Sequence, residues 1–301
     1  MYKVTSSVPL PSLLASSEMS FLTLYNLTES VFVDIAELPL SQAEEPSAEP
    51  GEALNGTKHF VPYPFIKPVA YGIQGVRSLP IKAVLRIGGS VLGSPPSAKV
   101  VDAFATVVSN LNHEGHTIGV VVGGGAVSRG YISSAEEMGL SPYQQDTIAI
   151  HASRLNARLV AMKLGGVSSV PTSIDGMLQR LARNRVAVMG GLRPGITTDT
   201  VAAIVAQRWR ADLLVKASDR DGIYTADPRL NKKAKKLDRI SYEKMKQILG
   251  GEHKPGIHSI VDPVAVDQLF ASRIRLVVLN GREPRGVAKA VHGEQVGTLV
   301  T

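Results

Sequence analysis

From Ile81 onward, short apolar runs alternate along the chain with segments of helical periodicity. The runs are rich in β-branched residues, a composition typical of parallel strands that are buried on both faces. Between the first two runs, apolar residues from Val100 to Leu111 recur at helical spacing and predict an amphipathic helix. A strand, a helix and a strand in succession form a βαβ unit, so the repeated pattern predicts an α/β fold whose sheet is covered by helices. The predicted strands are Ala83–Ile87, Thr117–Val122, Val186–Met189, Leu213–Val215 and Leu276–Leu279.

The first 80 residues have a different character. The stretch Ser41–Gly56 is acidic, rich in Pro, Gly and Ser, and nearly free of large apolar side chains. Such a segment buries too little apolar surface to offset the entropy lost on ordering. We therefore predict a largely disordered extension over residues 1–80 and a single domain over residues 81–301. A translation start further downstream is the alternative interpretation of the extension.

The charge is distributed unevenly along the 301 residues. The net charge is +7, of which residues 1–80 contribute −4 and the remaining residues +11. A basic body attracts polyanions, so nucleotides and nucleic acid are both candidate partners. The chain contains no cysteine, which excludes disulfides and thiolate metal sites and fits a cytoplasmic protein. It also lacks a run of about 18 apolar residues, so we expect no membrane association through a spanning helix.

Glycine clusters follow three of the predicted strands, at Gly88-Gly89, Gly123–Gly125 and Gly190-Gly191. In open α/β sheets, ligands bind beyond the carboxyl ends of the strands, which meet at one edge. Glycine lets the backbone approach a ligand, and the N-terminus of a following helix adds partial positive charge that suits phosphate. A tight turn explains any one cluster equally well, but three clusters on one edge favour phosphate binding. Neither the G-x-x-x-x-G-K-[ST] loop nor the dinucleotide fingerprint G-x-G-x-x-G is present.

The third glycine cluster leads into a segment that ends with Thr197, Thr198 and Asp199. The two threonines stand where a helix is expected to begin, and an ordinary helix cap is one interpretation of them. The other interpretation is a phosphate held by both hydroxyls, the helix N-terminus and Arg193. Capping does not require the preceding Gly-Gly-x-x-Pro-Gly, so we favour the phosphate interpretation.

The segment Lys216–Pro228 follows another predicted strand. A hairpin turn explains Asp221-Gly222, and the start of a loop explains Asp227-Pro228. The spacing alone assigns a ligand neither to Tyr224 nor to Asp227.

Residues 82–301 resemble the amino-acid-kinase superfamily and, within it, the archaeal-type UMP kinases. The DG-[IV]-Y-x-x-DP element is shared by several branches of the superfamily, whereas the RLNA helix together with PG-x-TTD-x-VAA is more specific to the UMP kinases. The motifs that carry the resemblance are IGGSVL (Ile87–Leu92), VVVGGGAVSRGYI (Val120–Ile132), QQDTIAIHASRLNARLV (Gln144–Val160), GGLRPGITTDTVAA (Gly190–Ala203), DGIYTADPRL (Asp221–Leu230) and VDPVA (Val261–Ala265).

The resemblance implies a three-layer αβα sandwich with a mainly parallel sheet of about eight strands. It implies transfer of the γ-phosphate of ATP to UMP, giving UDP for pyrimidine nucleotide biosynthesis, in a homohexamer with UMP-binding and ATP-binding halves in each domain. The residues implied for UMP are Gly124, Asp146, Leu192, Arg193, Pro194, Gly195, Ile196, Thr197 and Thr198. Those implied for ATP are Gly88, Gly89, Ser90, Gly125, Arg129, Ser218, Tyr224 and Asp227.

Lys216, Arg86 and Thr198 are the residues that we expect to act in catalysis. Many relatives have lysine at the position of Arg86, and several archaeal relatives lack the counterpart of Lys216. We predict that Lys216 reaches the transferring phosphoryl group and that Arg86 supports it, although the sequence does not rank the two cations. We expect Mg²⁺ to arrive with ATP, without a metal site built by the protein.

Three alternatives remain open on the sequence. The first is another kinase of the superfamily that acts on acetylglutamate, carbamate, aspartate or isopentenyl phosphate. The second is a storage protein of the same fold that binds ATP without phosphorylating UMP, and the third is a nucleic-acid-binding protein. The basic run Lys232–Lys236 is the argument for the third, but no nucleic-acid-binding motif accompanies it, so we expect no nucleic-acid partner.

Overall fold

The computed structural model describes residues 79–166, 169–229, 231–250 and 261–301. Apart from Leu79 and Pro80, the predicted disordered extension over residues 1–80 lies outside the described residues. All five predicted strands are present within one residue at their start and within three at their end. The strands are β1 (Lys82–Ile87), β2 (Thr117–Val122), β3 (Val186–Met189), β4 (Leu213–Ser218), β5 (Ile223–Tyr224), β6 (Lys236–Leu237), β7 (Arg239–Ile240), β8 (Arg275–Asn280) and β9 (Thr298–Val300).

Seven of these strands form the central sheet, in the order β3-β2-β1-β4-β8-β9-β7. Every neighbouring pair is parallel except β8 and β9, which are antiparallel. The remaining strands, β5 and β6, pair with each other as a separate antiparallel ribbon. The α/β class is therefore confirmed, and the described part of the sheet has seven strands where about eight were expected. The ribbon also shows that Asp221-Gly222 does not close a two-residue hairpin, because the partner of β5 begins at Lys236.

Helices cover both faces of the sheet and complete the three layers. Apolar residues of α2, α4 and α9 pack in one core, and those of α5, α6, α7 and α8 pack in another on the opposite face. The helices are α1 (Gly89–Leu92), α2 (Ala98–His113), α3 (Gly125–Glu137), α4 (Pro142–Lys163), α5 (Ile174–Asn184), α6 (Thr198–Trp209), α7 (Tyr242–Gly250), α8 (Pro263–Ser272) and α9 (Arg285–Val291). No helix in the described ranges is both long enough and apolar enough to cross a membrane.

The alternation of side chains along β1 places a charge on one face of the sheet. Leu85 and Ile87 pack against the first core, whereas Val84 packs against the second, so Arg86 points to the same side as Val84. In the register with β4, Arg86 stands directly opposite Lys216. Two cations therefore lie side by side on neighbouring strands, where a counter-charge is needed.

The glycines after β1 and β2 allow two backbone segments to touch. A Cβ added at Gly89 would lie 2.2 Å from the amide nitrogen of Gly125, and one added at Gly125 would lie 2.3 Å from the carbonyl carbon of Gly89. Gly125 also has a φ of +62°, a conformation that side chains with a Cβ rarely adopt. Contact between the two loops therefore requires glycine at both positions.

We expect Gly89→Ala to destabilise the protein by about 3 kcal/mol or more, because the new methyl group meets backbone atoms that cannot rotate away. Gly130→Ala is the matched control: Gly130 lies within α3 and a Cβ there would meet nothing within 4 Å. In a helix this change is expected to stabilise by up to about 1 kcal/mol. Urea unfolding of both variants measures the difference, and equal stability of the two would contradict the packing argument.

Candidate active site

A polar cavity of about 380 Å³ opens at the carboxyl ends of β1 and β4. Its floor is formed by the glycine loops after β1 and β2, and its sides carry five cationic side chains. This combination of backbone N–H groups and fixed positive charge suits a polyphosphate. The lining residues are Arg86, Gly88, Gly89, Ser90, Val91, Gly124, Gly125, Arg129, Thr198, Asp199, Lys216, Ser218, Asp219, Arg220 and Arg229.

A second cavity of about 340 Å³ lies next to the first and shares Gly124 and Thr198 with it. It is bounded by α4 on one side and by the loop between β3 and α6 on the other. Two ligands seated in these cavities would meet at Thr198, where the first turn of α6 begins. The lining residues are Gly124, Ser128, Asp146, Ala149, Ile150, Ser153, Gly191, Arg193, Gly195, Ile196, Thr197 and Thr198.

Asp199 supplies the counter-charge for the two cations on the sheet. Its Oδ1 lies 2.7 Å from Nε of Arg86, and its Oδ2 accepts a hydrogen bond from Nζ of Lys216. The ion pair between Asp199 and Lys216 is largely shielded from solvent, since only 7% of the Lys216 side chain and 11% of the Asp199 side chain are exposed. The three side chains form one ion group, in which two positive charges share one negative charge and Arg86 is part-buried.

Burial and charge act in opposite directions within this group. Burial alone would raise the pKa of the Asp199 carboxyl, but the adjacent Arg86 guanidinium and Lys216 ammonium hold it below its ordinary value. Burial also lowers the pKa of Lys216, although Asp199 opposes that change. Asp199 is therefore an anion that keeps the cations in place, and it is poorly suited to act as a proton donor or acceptor.

The start of α6 is held by a second carboxylate. Thr197 is the helix N-cap, and its hydroxyl oxygen accepts a hydrogen bond from the amide of Thr200. The hydroxyls of Thr197 and Thr200 both donate to Asp262, which is itself the N-cap of α8. The capping interpretation thus applies to Thr197, whereas the Thr198 hydroxyl accepts a hydrogen bond of 3.1 Å from Arg86 and faces both cavities.

Two arginines on the far wall of the first cavity are held by Asp227. Arg229 donates to this carboxylate at 3.0 Å, and Arg220 lies at 3.5 Å from it. The hydrogen bonds from Arg229, more than the charge of Arg220, hold the pKa of Asp227 well below its usual range. Across the cavity, Nη2 of Arg129 lies 3.4 Å from the Ser90 hydroxyl.

Most of the residues predicted from the sequence line one of the two cavities. Leu192, Pro194, Tyr224 and Asp227 do not: the Tyr224 hydroxyl donates to the Asp221 carboxylate at 2.9 Å, and Asp227 pairs with Arg220 and Arg229, which line the first cavity. Asp146 lines the second cavity, and its Oδ2 accepts a hydrogen bond of 2.8 Å from the amide of Gly195. The ligand roles of all these residues stay predictions.

Sequence reasoning missed Asp199, Asp262, Arg220 and Arg229. A partial signal for Asp199 was its place in the first turn of a predicted helix, where a negative charge is favoured, but the sequence does not show that Arg86 and Lys216 lie beside it. Asp262 also had a signal, since Asp-Pro at the start of an apolar helical run is typical of an N-cap. Nothing in the local sequence directs Arg220 or Arg229 toward the cavity.

Among the described residues, a group of side chains of metal-ligating type lies at the opposite end of the sheet, at Glu114, His116 and His292. The amide of Ile81 donates to Nδ1 of His116 at 3.1 Å, which leaves the proton of the neutral ring on Nε2, the atom facing Glu114. A metal ion bound there would have to displace that proton. Burial also lowers the pKa of His116, and we assign the group no ligand.

We expect Asp199→Asn to destabilise the protein by about 3–5 kcal/mol, because it leaves the buried Lys216 and the part-buried Arg86 without their counter-charge. Asp175→Asn is the control, since Asp175 pairs with Arg208 on the surface, where the two side chains are 75% and 58% exposed. Exposed pairs contribute little, so its stability should stay close to that of the wild type. Denaturant unfolding at neutral pH is the measurement, and an unchanged midpoint for Asp199→Asn would show that the group is not coupled.

Comparison with known proteins places this arrangement in a family. The model of the amino acid kinase family matches residues 82–280. Uridylate kinases of Hyperthermus butylicus and Natronomonas pharaonis are 39% and 38% identical over 220 and 224 residues, which cover 72% and 73% of this chain and 97% and 98% of theirs. The crystal structure of uridylate kinase from Archaeoglobus fulgidus is 36% identical, with a TM-score of 0.68, and covers 73% of this chain and 100% of that one. The UMP kinase structure from Bacillus anthracis shares the fold, with a TM-score of 0.63 at 22% identity over 74% of this chain and 97% of that one. The chain therefore belongs to the amino acid kinase family, on its uridylate kinase branch.

Proposed function

We propose that the protein is a UMP kinase, which transfers the γ-phosphoryl group of ATP to UMP and yields UDP and ADP. One observation carries the proposal: two adjoining cavities share Gly124 and Thr198, and the cations Arg86 and Lys216 stand beside this junction. A reaction between two phosphate-bearing substrates needs such an arrangement, in which both ligands end at the same point. The uridylate kinases to which the chain is 36–39% identical agree with it.

In this proposal ATP occupies the first cavity and UMP the second. The terminal phosphate of UMP has a second pKa near about 6, like other phosphomonoesters, so its oxygen is ionised at neutral pH and needs no general base. That oxygen forms a bond to the γ-phosphorus while the bond to the bridging oxygen of ADP breaks, and the bonding electrons leave with ADP. The protein has to align the two polyanions and reduce their repulsion.

Each side chain at the junction has a defined task in the mechanism. Lys216 and Arg86 offset the negative charge that spreads over the migrating phosphoryl group, and Thr198 with the α6 N-terminus holds the acceptor phosphate. Asp199 keeps the two cations at a fixed separation on the sheet before either substrate arrives. Cations that are placed in advance stabilise the transition state without further reorganisation.

Mg²⁺ enters as part of the ATP substrate in this scheme. Both oxygens of Asp199 are already engaged by Arg86 and Lys216, which leaves Asp219 as the carboxylate on the described wall of the first cavity with no such partner. A divalent ion is expected to be held mainly by the phosphates and waters, with few protein ligands. When bound with ATP, the ion would supply further positive charge against the phosphates.

The nature of the second cavity favours a phosphorylated acceptor over a carboxylate. Arg193, Thr198 and the N-terminus of a 12-residue helix converge on it. A second phosphate-binding region of this kind has no task in the phosphorylation of acetylglutamate or carbamate. It has none in a storage protein that binds ATP alone.

The proposal is tested by a coupled assay of ADP release with UMP, CMP, acetylglutamate and isopentenyl phosphate as acceptors. We expect UMP to exceed the others in kcat/KM by orders of magnitude. No turnover with UMP, or equal turnover with every acceptor, would exclude the assignment.

The same assay tests the role of Lys216. Lys216→Met should slow turnover by about 10² or more, comparable to the loss of a fixed donor to transition-state charge. Lys99→Met, which removes an exposed lysine on α2, is the matched control and should be neutral.

We further propose a homohexamer working in the cytoplasm in pyrimidine nucleotide synthesis. An apolar stripe on the outer face of α4 supports self-association: Leu155, Leu159 and Met162 are 63%, 43% and 57% exposed and recur at helical spacing. Tyr131 on the neighbouring α3 and Met138, just after the last residue of that helix, are exposed as well. Apolar patches of this kind usually mark protein interfaces. The cysteine-free composition agrees with a reducing compartment.

Size-exclusion chromatography with light scattering tests the assembly. We expect the wild type to elute with the mass of a hexamer and the double variant Leu155→Glu, Leu159→Glu to elute as a smaller species, because charge replaces the apolar stripe. Leu79→Glu changes another exposed apolar residue away from the stripe and should leave the mass unaltered. A monomeric wild type at micromolar concentration would exclude the interface.

A further inference from the structure

Helix α4 contacts the backbone of both loops that border the second cavity. Asn156 is 3% exposed, and its side-chain amide donates to the carbonyl oxygens of Gly123 and Gly124, at 3.0 and 3.3 Å. These two carbonyls belong to the loop between β2 and α3. The hydrogen bonds orient them toward α4.

Arg154 does the same for the loop between β3 and α6. Its Nε donates to the carbonyl oxygen of Gly191 at 3.0 Å, and its Nη2 donates to that of Leu192 at 2.9 Å. Burial, and to a lesser extent the charge of Arg158, lowers the pKa of Arg154. Its charge is thus directed at two backbone carbonyls.

Ser153 binds a backbone amide of the same loop. Its hydroxyl oxygen accepts a hydrogen bond of 2.7 Å from the amide of Gly191 and donates one of 2.7 Å to the carbonyl of Ile150. The approach is close, because a Cβ added at Gly190 would lie 2.7 Å from the backbone nitrogen of Arg154. The end of β3 therefore rests directly on α4, at a distance that only glycine permits.

The four carbonyls bound in this way belong to loops whose other groups line an anion site. A carbonyl oxygen carries partial negative charge, and one that turned toward the bound phosphate would repel it. Binding these oxygens on the α4 side leaves the cavity wall to Arg193, Thr198 and the helix N-terminus. Preorganised dipoles of this kind act before the ligand arrives and need no rearrangement.

We propose that Arg154 and Asn156 form a carbonyl clamp, a pair of positioning residues that hold the oxygens of Gly123, Gly124, Gly191 and Leu192 away from the acceptor nucleotide. Neither side chain is part of the cavity wall, so the clamp acts through the loops without touching the substrate. The proposal rests on the proposed function for the identity of the acceptor, UMP. It adds that the RLNA part of α4 determines the acceptor affinity.

The clamp makes a prediction that a general effect on folding does not. Within the described residues, the side-chain hydrogen bonds of Arg154 go to the loop of the second cavity, so its loss should weaken UMP binding and leave ATP binding alone. We expect Arg154→Met to raise the KM for UMP by about tenfold or more, in line with the loss of hydrogen bonds from a charged donor. The KM for ATP should stay within about twofold of the wild type, a change too small to correspond to a lost hydrogen bond.

A second variant separates geometry from charge. Arg154→Lys keeps the positive charge but loses the planar fork that reaches two carbonyls in fixed directions. The clamp predicts a clear rise in the KM for UMP with this variant too, whereas a purely electrostatic role predicts wild-type values. Arg183→Met is the matched control: it removes an exposed arginine from α5 and should change neither KM.

Steady-state kinetics with each nucleotide varied in turn, together with titration calorimetry of UMP binding, is the experiment. Urea unfolding confirms that the variants are folded at the assay temperature. Unchanged UMP affinity in folded Arg154→Met, equal losses for UMP and ATP, or wild-type values for Arg154→Lys would each overturn the clamp. If the wild type phosphorylates a different acceptor, the proposed function fails, and the same comparison with that acceptor still decides the clamp.

Discussion

Everything at the centre of this protein depends on two cations that share one buried carboxylate. The register of β1 and β4 places Arg86 opposite Lys216 on the same face of the sheet. Without a counter-charge, the two cations would repel each other strongly. The negative charge of Asp199 offsets this repulsion. Asp199 reaches both cations because it lies in the first turn of α6. The helix start in turn depends on Asp262 at the cap of α8. The charge arrangement therefore links two strands and two helices.

Glycine determines how closely the surrounding loops approach. Gly89 and Gly125 bring the ends of β1 and β2 into backbone contact, and Gly190 brings the end of β3 onto α4. The glycines were interpreted from the sequence as sites where a ligand approaches the backbone. The structure shows that several of them are required by contacts within the protein, and that the cavities form around those contacts. Both interpretations thus apply to the same positions.

The strands and the two layers of helices were predictable because a buried segment must be rich in apolar residues. A strand covered on both faces must be apolar at nearly every position, which is why the runs at Thr117–Val122 and Val186–Met189 were placed without error. The relation among Arg86, Asp199 and Lys216 was not predictable in the same way. It depends on strand register between segments about 130 residues apart, and no local periodicity records that register.

Tyr224, Asp227 and Arg229 show the same limit of prediction from sequence. Tyr224 and Asp227 belong to a motif shared by related proteins, yet their side chains in this chain engage Asp221 and the arginines of the wall. Family resemblance indicates where a segment lies, but the direction of each side chain depends on neighbours from other elements. Arg229 comes directly after the Asp-Pro of this motif, but an exposed arginine in a loop has no distinctive local pattern that would assign it to the site.

The wall common to both cavities has a consequence for ligand design. Gly124 and Thr198 border each compartment, so under the proposed assignment of ATP and UMP a single two-headed compound, with uridine and adenosine joined by a phosphate chain, would span both. Once one head is seated, the other experiences a local concentration set by the tether, so the second association loses far less translational freedom. Such a compound would combine the affinities of both compartments in one inhibitor.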